Sequence, residues 1–253
     1  MVSELIEQLK VKQGTKANCY IKHDLKPLDA PVTVRIKFAK TGSLQYISHL
    51  DLQRLWSRAF VRAGIPLWYT KGFNPHAKMV FGIPLPVGVQ SVCELIDVRI
   101  DKEISCEDIK ELLNEALTDE LKILDAYLPQ TKFSEITKAD YSIELVSPYA
   151  SKELAKNINE FFAKDEIMMT KKTKSGEKEI NIVKLIYNLK ADYMTNGNVE
   201  IKARLAAGTE SLNPEFIISA LRKNSILPAA DLDVESYEII RERVLNANDE
   251  VFR

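Results

Sequence analysis

The 253-residue sequence predicts an α+β fold with antiparallel sheets. Three observations lead there. Apolar and polar residues alternate over Val32–Phe38, the period of a half-buried strand. Two runs read as helices: His49 to Ala63 is amphipathic with start and stop signals, and Ser105 to Leu117 has acids in its first turn. The remaining apolar runs are short and punctuated by Gly, Asn and Pro, as strands joined by turns are.

Residues 1–31 read as an N-terminal extension. Leu5, Ile6 and Leu9 can make one amphipathic turn, and the stretch from Lys12 to Ala30 is polar and irregular, closing on Pro31. Val32, Val34, Ile36 and Phe38 then alternate with Thr33, Arg35 and Lys37, giving a strand with a cationic outer face. Lys40-Thr41-Gly42 turns the chain. Ser48 with Asp51 three residues on forms a capping box in its weaker form, and the helix stops at Gly64 with Pro66 beyond. Ile65 to Thr70, Met79 to Ile83 and Val92 to Ile100 read as strands, with Pro84 and Pro86 breaking the chain between the last two. Glu107 and Asp108 sit in the first turn of the next helix, where its dipole favours acids. Leu121 to Leu128 closes the set. Apart from the short Ile65 to Thr70 strand, the order is β-α-β-β-α-β, the ferredoxin-like arrangement with both helices on one face.

The second half repeats this order. Tyr141 to Val146 is a strand, Ser151 to Phe162 a helix and Glu166 to Thr170 a strand, followed by a hairpin turn at Lys174-Ser175-Gly176-Glu177. Ile180 to Leu189 and Val199 to Leu205 are strands separated by the Asn196-Gly197 turn. Asn213 to Lys223 is a helix with Pro214 at its start. Tyr237 to Ile240 closes the sheet, and 241–253 reads as a charged tail. The expected organisation is two tandem ferredoxin-like domains, 32–130 and 131–253, after the extension.

Hydrophobic content of 45% with 28% charged residues suits a chain that buries a real core. No apolar run approaches the roughly 18 residues of a membrane span, and no signal pattern opens the chain. Cys19, Cys93 and Cys106 show no metal-ligand spacing, so no metal, cofactor or disulfide is expected, and the setting is expected to be cytoplasmic.

Charge is concentrated in one place. Val32–Gln90 holds eight Lys or Arg against the single acid Asp51, while the whole chain carries −1. Such a segment in a neutral protein faces an anion. On a helical wheel Asp51, Arg54, Arg58 and Arg62 share one face and Leu52, Leu55, Trp56, Ala59 and Ala63 the other. That charged face either meets an anion or is solvated around an Asp51–Arg54 pair. Lys71-Gly72-Phe73-Asn74-Pro75-His76-Ala77-Lys78 has turn chemistry with an aromatic between cations. Phe73 either stacks on a base or folds back into the core.

Tyr46-Ile-Ser-His-Leu-Asp, the arginines after it, Lys71-Gly-Phe-Asn-Pro-His-Ala-Lys, Phe81-Gly and Leu85-Pro-Val-Gly together resemble the radical-SAM-linked family, the DUF2344 domain class. The resemblance is strong from Val32 to Leu128 and continues weakly to Ala207-Gly208 and Asn213-Pro214. It implies the company of a radical-SAM protein, with no activity established for the class. This sequence has no CxxxCxxC for an iron–sulfur cluster, so such chemistry would have to come from a separate protein.

The expected function is an RNA-binding accessory module for a radical-SAM or RNA-processing system. Lys37, Lys40, Arg54, Arg58, Arg62, Lys71 and Lys78 would meet phosphates, and Tyr46, Tyr69 and Phe73 would stack bases. Ser48, His49, Asp51, Asn74 and His76 complete the candidate site. Structured RNA, tRNA or rRNA, is the expected partner, with a separate radical-SAM protein or ribonuclease beside it and no membrane. One alternative is metal-independent RNA cleavage, with His49 and His76 as general acid and base. Another is a pocket for a small phosphorylated ligand; a third has the basic face dock on an acidic protein surface.

Overall fold

The computed structural model describes residues 25–173, 176–227 and 235–253. The amphipathic turn expected around Leu5 to Leu9 and the Lys174-Ser175 part of the hairpin turn lie outside the described residues. The chain divides into two compact units, one ending at Phe133 and including Arg253, the other Ser134–Phe252.

The first unit contains β1 (Pro27–Lys40), α1 (His49–Arg62), β2 (Met79–Phe81), β3 (Val89–Lys102), α2 (Cys106–Ala116) and β4 (Leu121–Tyr127). Its strands lie in the spatial order β4-β1-β3-β2, every neighbour antiparallel. Ile36 stands opposite both Ile96 and Ala126, and Arg35 opposite Asp97. A one-residue slip would turn the apolar set out of the core, so the alternation itself specifies this register.

Two expectations are corrected here. β1 starts at Pro27, which pairs with Lys102, so residues 27–31 are sheet rather than extension. A bulge between Pro27 and Val32 interrupts the alternation, and Pro is tolerated where a strand begins. Ile65 to Thr70 forms isolated bridges, Leu67 with Ile100 and Tyr69 with Ala77, instead of a strand. Pro66 has no N–H to give a ladder.

Val34, Ile36 and Phe38 of β1 and Ile96, Val98 and Ile100 of β3 share a core with Leu52, Trp56 and Phe60 of α1 and Ile109 and Leu113 of α2. Both helices therefore cover the same face of the sheet. Trp56 is fully buried, edge-on to Phe38 at 4.9 Å and stacked on Phe60 at 5.1 Å. On the other face Arg35 is not outward-facing, as the alternation suggested, but buried. Its Nε and Nη2 donate to the two oxygens of Asp97 at 2.7 and 2.9 Å, and the Phe133 ring lies 4.2 Å from the guanidinium.

The second unit contains β5 (Lys138–Val146), α3 (Lys152–Phe162), β6 (Met168–Thr173), β7 (Gly176–Asn181), β8 (Ile186–Tyr193), β9 (Val199–Ala206), α4 (Glu215–Lys223) and β10 (Ser236–Leu245). Here the order is β10-β5-β9-β8, again antiparallel, and β6 and β7 form a separate hairpin. Leaving that hairpin aside, the unit has the element and strand order of the first. The single strand expected over Ile180 to Leu189 is broken by a 3-10 turn, Ile182–Leu185. Asn181 initiates the turn, its side-chain oxygen accepting from the N–H groups of Ile167 and Val183. The expected charged tail is half strand: β10 runs to Leu245, and Arg241, Val244, Leu245 and Phe252 are buried. Its charge is absorbed by register, since Arg243 stands opposite Asp140 and pairs with it at 2.7 Å. Among the described residues no helix is long and apolar enough to cross a membrane.

Replacing the fully buried Trp56 with Ala should lower unfolding stability by about 3–5 kcal/mol, the range for emptying a large aromatic site. Val61→Ala, on the exposed side of the same helix, should stay within about 0.5 kcal/mol. Urea midpoints at unchanged slope would check both.

Candidate nucleic-acid interface

Helix α1 is placed by two local devices. At its N-terminus Ser48 accepts from the Asp51 N–H at 3.1 Å and donates its hydroxyl to the Asp51 carboxylate at 2.7 Å. Along its length Leu52, Trp56, Ala59 and Phe60 are buried, so the opposite stripe must face outward. Asp51, Arg54, Leu55, Arg58, Ala59 and Arg62, with Leu117 just past α2, line an open groove of about 420 Å³.

Charge within that groove is unbalanced. Arg54 pairs with Asp51 at 3.2 Å, both side chains more than half exposed, which contributes little stability by itself. The Ser48 hydroxyl, and after it Arg54, hold the Asp51 carboxyl below its ordinary range, so it stays an ionised acceptor. Among the described residues Arg58 and Arg62 have no acidic partner. The groove thus combines an apolar floor with free guanidinium groups.

The segment after the helix makes a closed loop. Tyr69 bridges Ala77, the Thr70 N–H donates to the His76 carbonyl at 3.0 Å, and the His76 N–H donates to the Thr70 hydroxyl at 3.2 Å. The His76 Nδ1 lies 3.1 Å from that hydroxyl and 3.2 Å from the Asn74 carbonyl. A carbonyl only accepts, so the second contact is a hydrogen bond only when Nδ1 carries the hydrogen. Gly72, at φ +142°, lets the backbone make the bend. Phe73 at the tip is fully exposed at 106%, between Lys71 and Asn74, which are exposed too. It does not fold back into the core.

The other expected residues separate. His49 packs edge-on against Phe81, ring centroids 4.8 Å apart, at the start of α1. Tyr46, 68% exposed, precedes it in the 3-10 turn Gly42–Tyr46. Lys37 is half-buried, on the Arg35 side of β1. Lys40 is corrected: it is 2% exposed, with its ammonium 3.4 Å from the Gln45 carbonyl, so it cannot meet an external phosphate. It stands two residues past the buried Phe38, so alternation alone already puts it on the core side of β1. Lys78 is not at the loop tip with Lys71. It lines a second concavity with Thr33, Val80, Asp97 and Arg99. Arg99 escaped sequence reading because it sits between Asp97 and Asp101 in a strand, where it reads as one of a balanced set. Leu117 carried no signal at all; only the packing of α2 brings it to the groove.

The family model for uncharacterized proteins conserved in bacteria (DUF2344) matches residues 33–214. The chain belongs to the DUF2344 family. The match takes in α1 with its arginines, the Lys71–Lys78 loop and both members of the second concavity's central strand, Asp97 and Arg99. No curated protein matches the sequence. Among solved structures the chain is similar to one in the crystal structure of a Cbf5-Nop10-Gar1 complex, at 12% identity and a TM-score of 0.43. That alignment covers 93% of this chain and 59% of the other.

Because the Ser48 hydroxyl is the main cause of the Asp51 shift, Ser48→Ala should raise the Asp51 carboxyl toward its ordinary value. A carboxyl held low favours the folded state above its unfolded value, and that contribution fades as pH falls through the folded one. The variant should therefore narrow the acid dependence of stability as well as removing an N-cap, a loss of about 1 kcal/mol at neutral pH. Carbon NMR titration of the Asp51 carboxyl with urea unfolding at each pH would check this.

Proposed function

We propose that this protein is an RNA-binding accessory module for a radical-SAM or RNA-processing and modification system. In this reading it consists of two tandem ferredoxin-like domains, 32–130 carrying the binding surface and 131–253 supporting it, and it works in the cytoplasm. The shared strand order, β4-β1-β3-β2 and β10-β5-β9-β8, supports the architecture.

The observation that carries the function is Phe73, fully exposed on a loop closed by its own hydrogen bonds and flanked by lysine. A large apolar ring left wholly in water has no folding role, whereas a base can stack on it while Lys71 meets the adjoining phosphate. The arginine row extends the surface. Arg54 to Arg62 spans about 12 Å at 1.5 Å per residue on a rigid helix. A fixed row of that length suits the regularly spaced phosphates of folded RNA, and structured RNA such as tRNA or rRNA is the proposed partner. Guanidinium groups bind phosphate bidentately, which lysines cannot. A separate radical-SAM protein or ribonuclease would supply chemistry, in keeping with the family resemblance.

With Arg54, Arg58 and Arg62 all changed to Ala, RNA affinity should fall and the slope of log affinity against log salt should shrink by about 2 to 3, one released counterion per lost contact. Phe73→Ala should weaken binding by about 1–3 kcal/mol at unchanged salt slope and unchanged fold stability. Filter binding of the RNA that co-purifies with the protein, across a salt series, tests both. Equal affinity and equal slope in the triple variant would sink the reading.

A further inference from the structure

We infer that the concavity formed by Thr33, Lys78, Val80, Asp97 and Arg99 is a second anion site, built to hold a single phosphate group and separate from the arginine groove of α1. It lies on the other face of the sheet. Thr33 and Arg99 are direct cross-strand partners between β1 and β3, and Val80 and Asp97 are partners between β2 and β3. Asp97 and Arg99, two residues apart, point to the same side. Core residues Val34, Val98 and Ile100 point to the opposite one, under the helices. Lys78 enters the same concavity from the residue before β2.

The electrostatics of the site follow from where each charge is already engaged. Asp97 is the one acid lining it, and both its oxygens accept from Arg35. That carboxylate is neutralised from the buried side and cannot compensate the cations in front of it. Arg99 is oriented but not consumed. Its Nη2 donates to the Pro31 carbonyl at 3.2 Å, and its guanidinium lies 4.9 Å from the centroid of the Trp68 ring. Stacking uses the flat face and leaves in-plane donors. Lys78 is exposed and has no acidic partner among the described residues. Two uncompensated cations therefore share one cavity, beside a threonine hydroxyl that can donate or accept.

Size narrows the ligand. The cavity holds about 260 Å³, below the roughly 300–1,000 Å³ of pockets that enclose whole cofactors. A phosphate group fits, with the rest of its molecule outside against Val80. Arginine on one side and lysine on another is a common pairing for phosphate, one a planar fork and the other a movable point charge. The source of the group is either an RNA phosphate or a small phosphorylated molecule, and the site does not depend on the RNA reading of α1.

The test is nitrogen-15 NMR of the full-length protein, titrated with inorganic phosphate at constant ionic strength. Saturable shifts of the Thr33 and Val80 amides and of the Arg99 side-chain Nε–H are expected. Lys78→Gln should weaken the apparent affinity about tenfold or more, and Arg99→Gln at least as much. Arg58→Gln with Arg62→Gln should leave it unchanged. Lys78 is on the surface, so its variant keeps the test valid if Arg99→Gln fails to fold. One RNA oligonucleotide with a 5′-phosphate and the same one with a 5′-hydroxyl then distinguish the sources. Shifts with the first alone assign a terminal phosphate, and equal shifts with both assign the backbone. Shifts with phosphate but neither RNA assign a small phosphorylated molecule. Shifts that stay linear in phosphate, or that saturate equally in Lys78→Gln, overturn the site.

Discussion

The position of the whole basic surface depends on how Trp56 is held. Its indole is wedged edge-on against Phe38 of the sheet and stacked on Phe60 one turn along α1. A side chain of that size admits little rotation of the helix about its own axis, because interiors are close-packed and a shifted ring would leave a void. With Trp56 inward, Arg54, Arg58 and Arg62 have only the outer stripe to occupy. The Ser48 cap settles where the helix begins, so the first arginine meets Asp51 and the next two do not.

A segment that is uniformly basic in sequence is distributed in space by ordinary folding rules. Strand alternation sends Arg35 to the face opposite the helices, where Asp97 and Phe133 bury it. The same alternation puts Lys40, two residues past Phe38, on the core side. The closed loop from Thr70 to His76 carries Lys71 and Phe73 outward, and the return into β2 delivers Lys78 to the face where Arg99 lies. One linear cluster thus becomes an arginine groove, an aromatic loop tip, one of the two cations of a concavity and two buried structural charges.

The second unit handles charge differently. Asp140 receives both Arg204 and Arg243, and Asp249 receives Lys138 and Arg204. The Lys138 ammonium, donating at 2.8 Å, is the chief reason the Asp249 carboxyl lies below its ordinary value. Opposite charges here meet across adjacent strands, or between a strand and the turn after β10, and cancel. The contrast explains why a chain near neutrality can still present a strongly cationic surface: its acids are spent in pairs in one unit and scarce around α1 in the other.

Much of the fold was legible because it rests on local periodicity. Alternation over Val32–Phe38, the Ser48 cap, the acids Glu107 and Asp108 and the Gly64 stop are properties of neighbouring residues, and they located α1 and α2 closely and the central part of β1. The amphipathic face of α1 was likewise readable, since 3.6 residues per turn sorts Leu52, Trp56 and Ala59 from the arginines without reference to the rest of the protein. What the sequence could not decide was anything set by pairing between distant strands. Phe73 had two equally consistent fates until the Tyr69–Ala77 bridge closed its loop. Lys78 looked like Lys71, and Arg99 looked like one charge in a balanced strand. The roles of Lys78 and Arg99 come from strand pairing, which brings Thr33 and Arg99, more than sixty positions apart, into one row and is invisible to any local pattern.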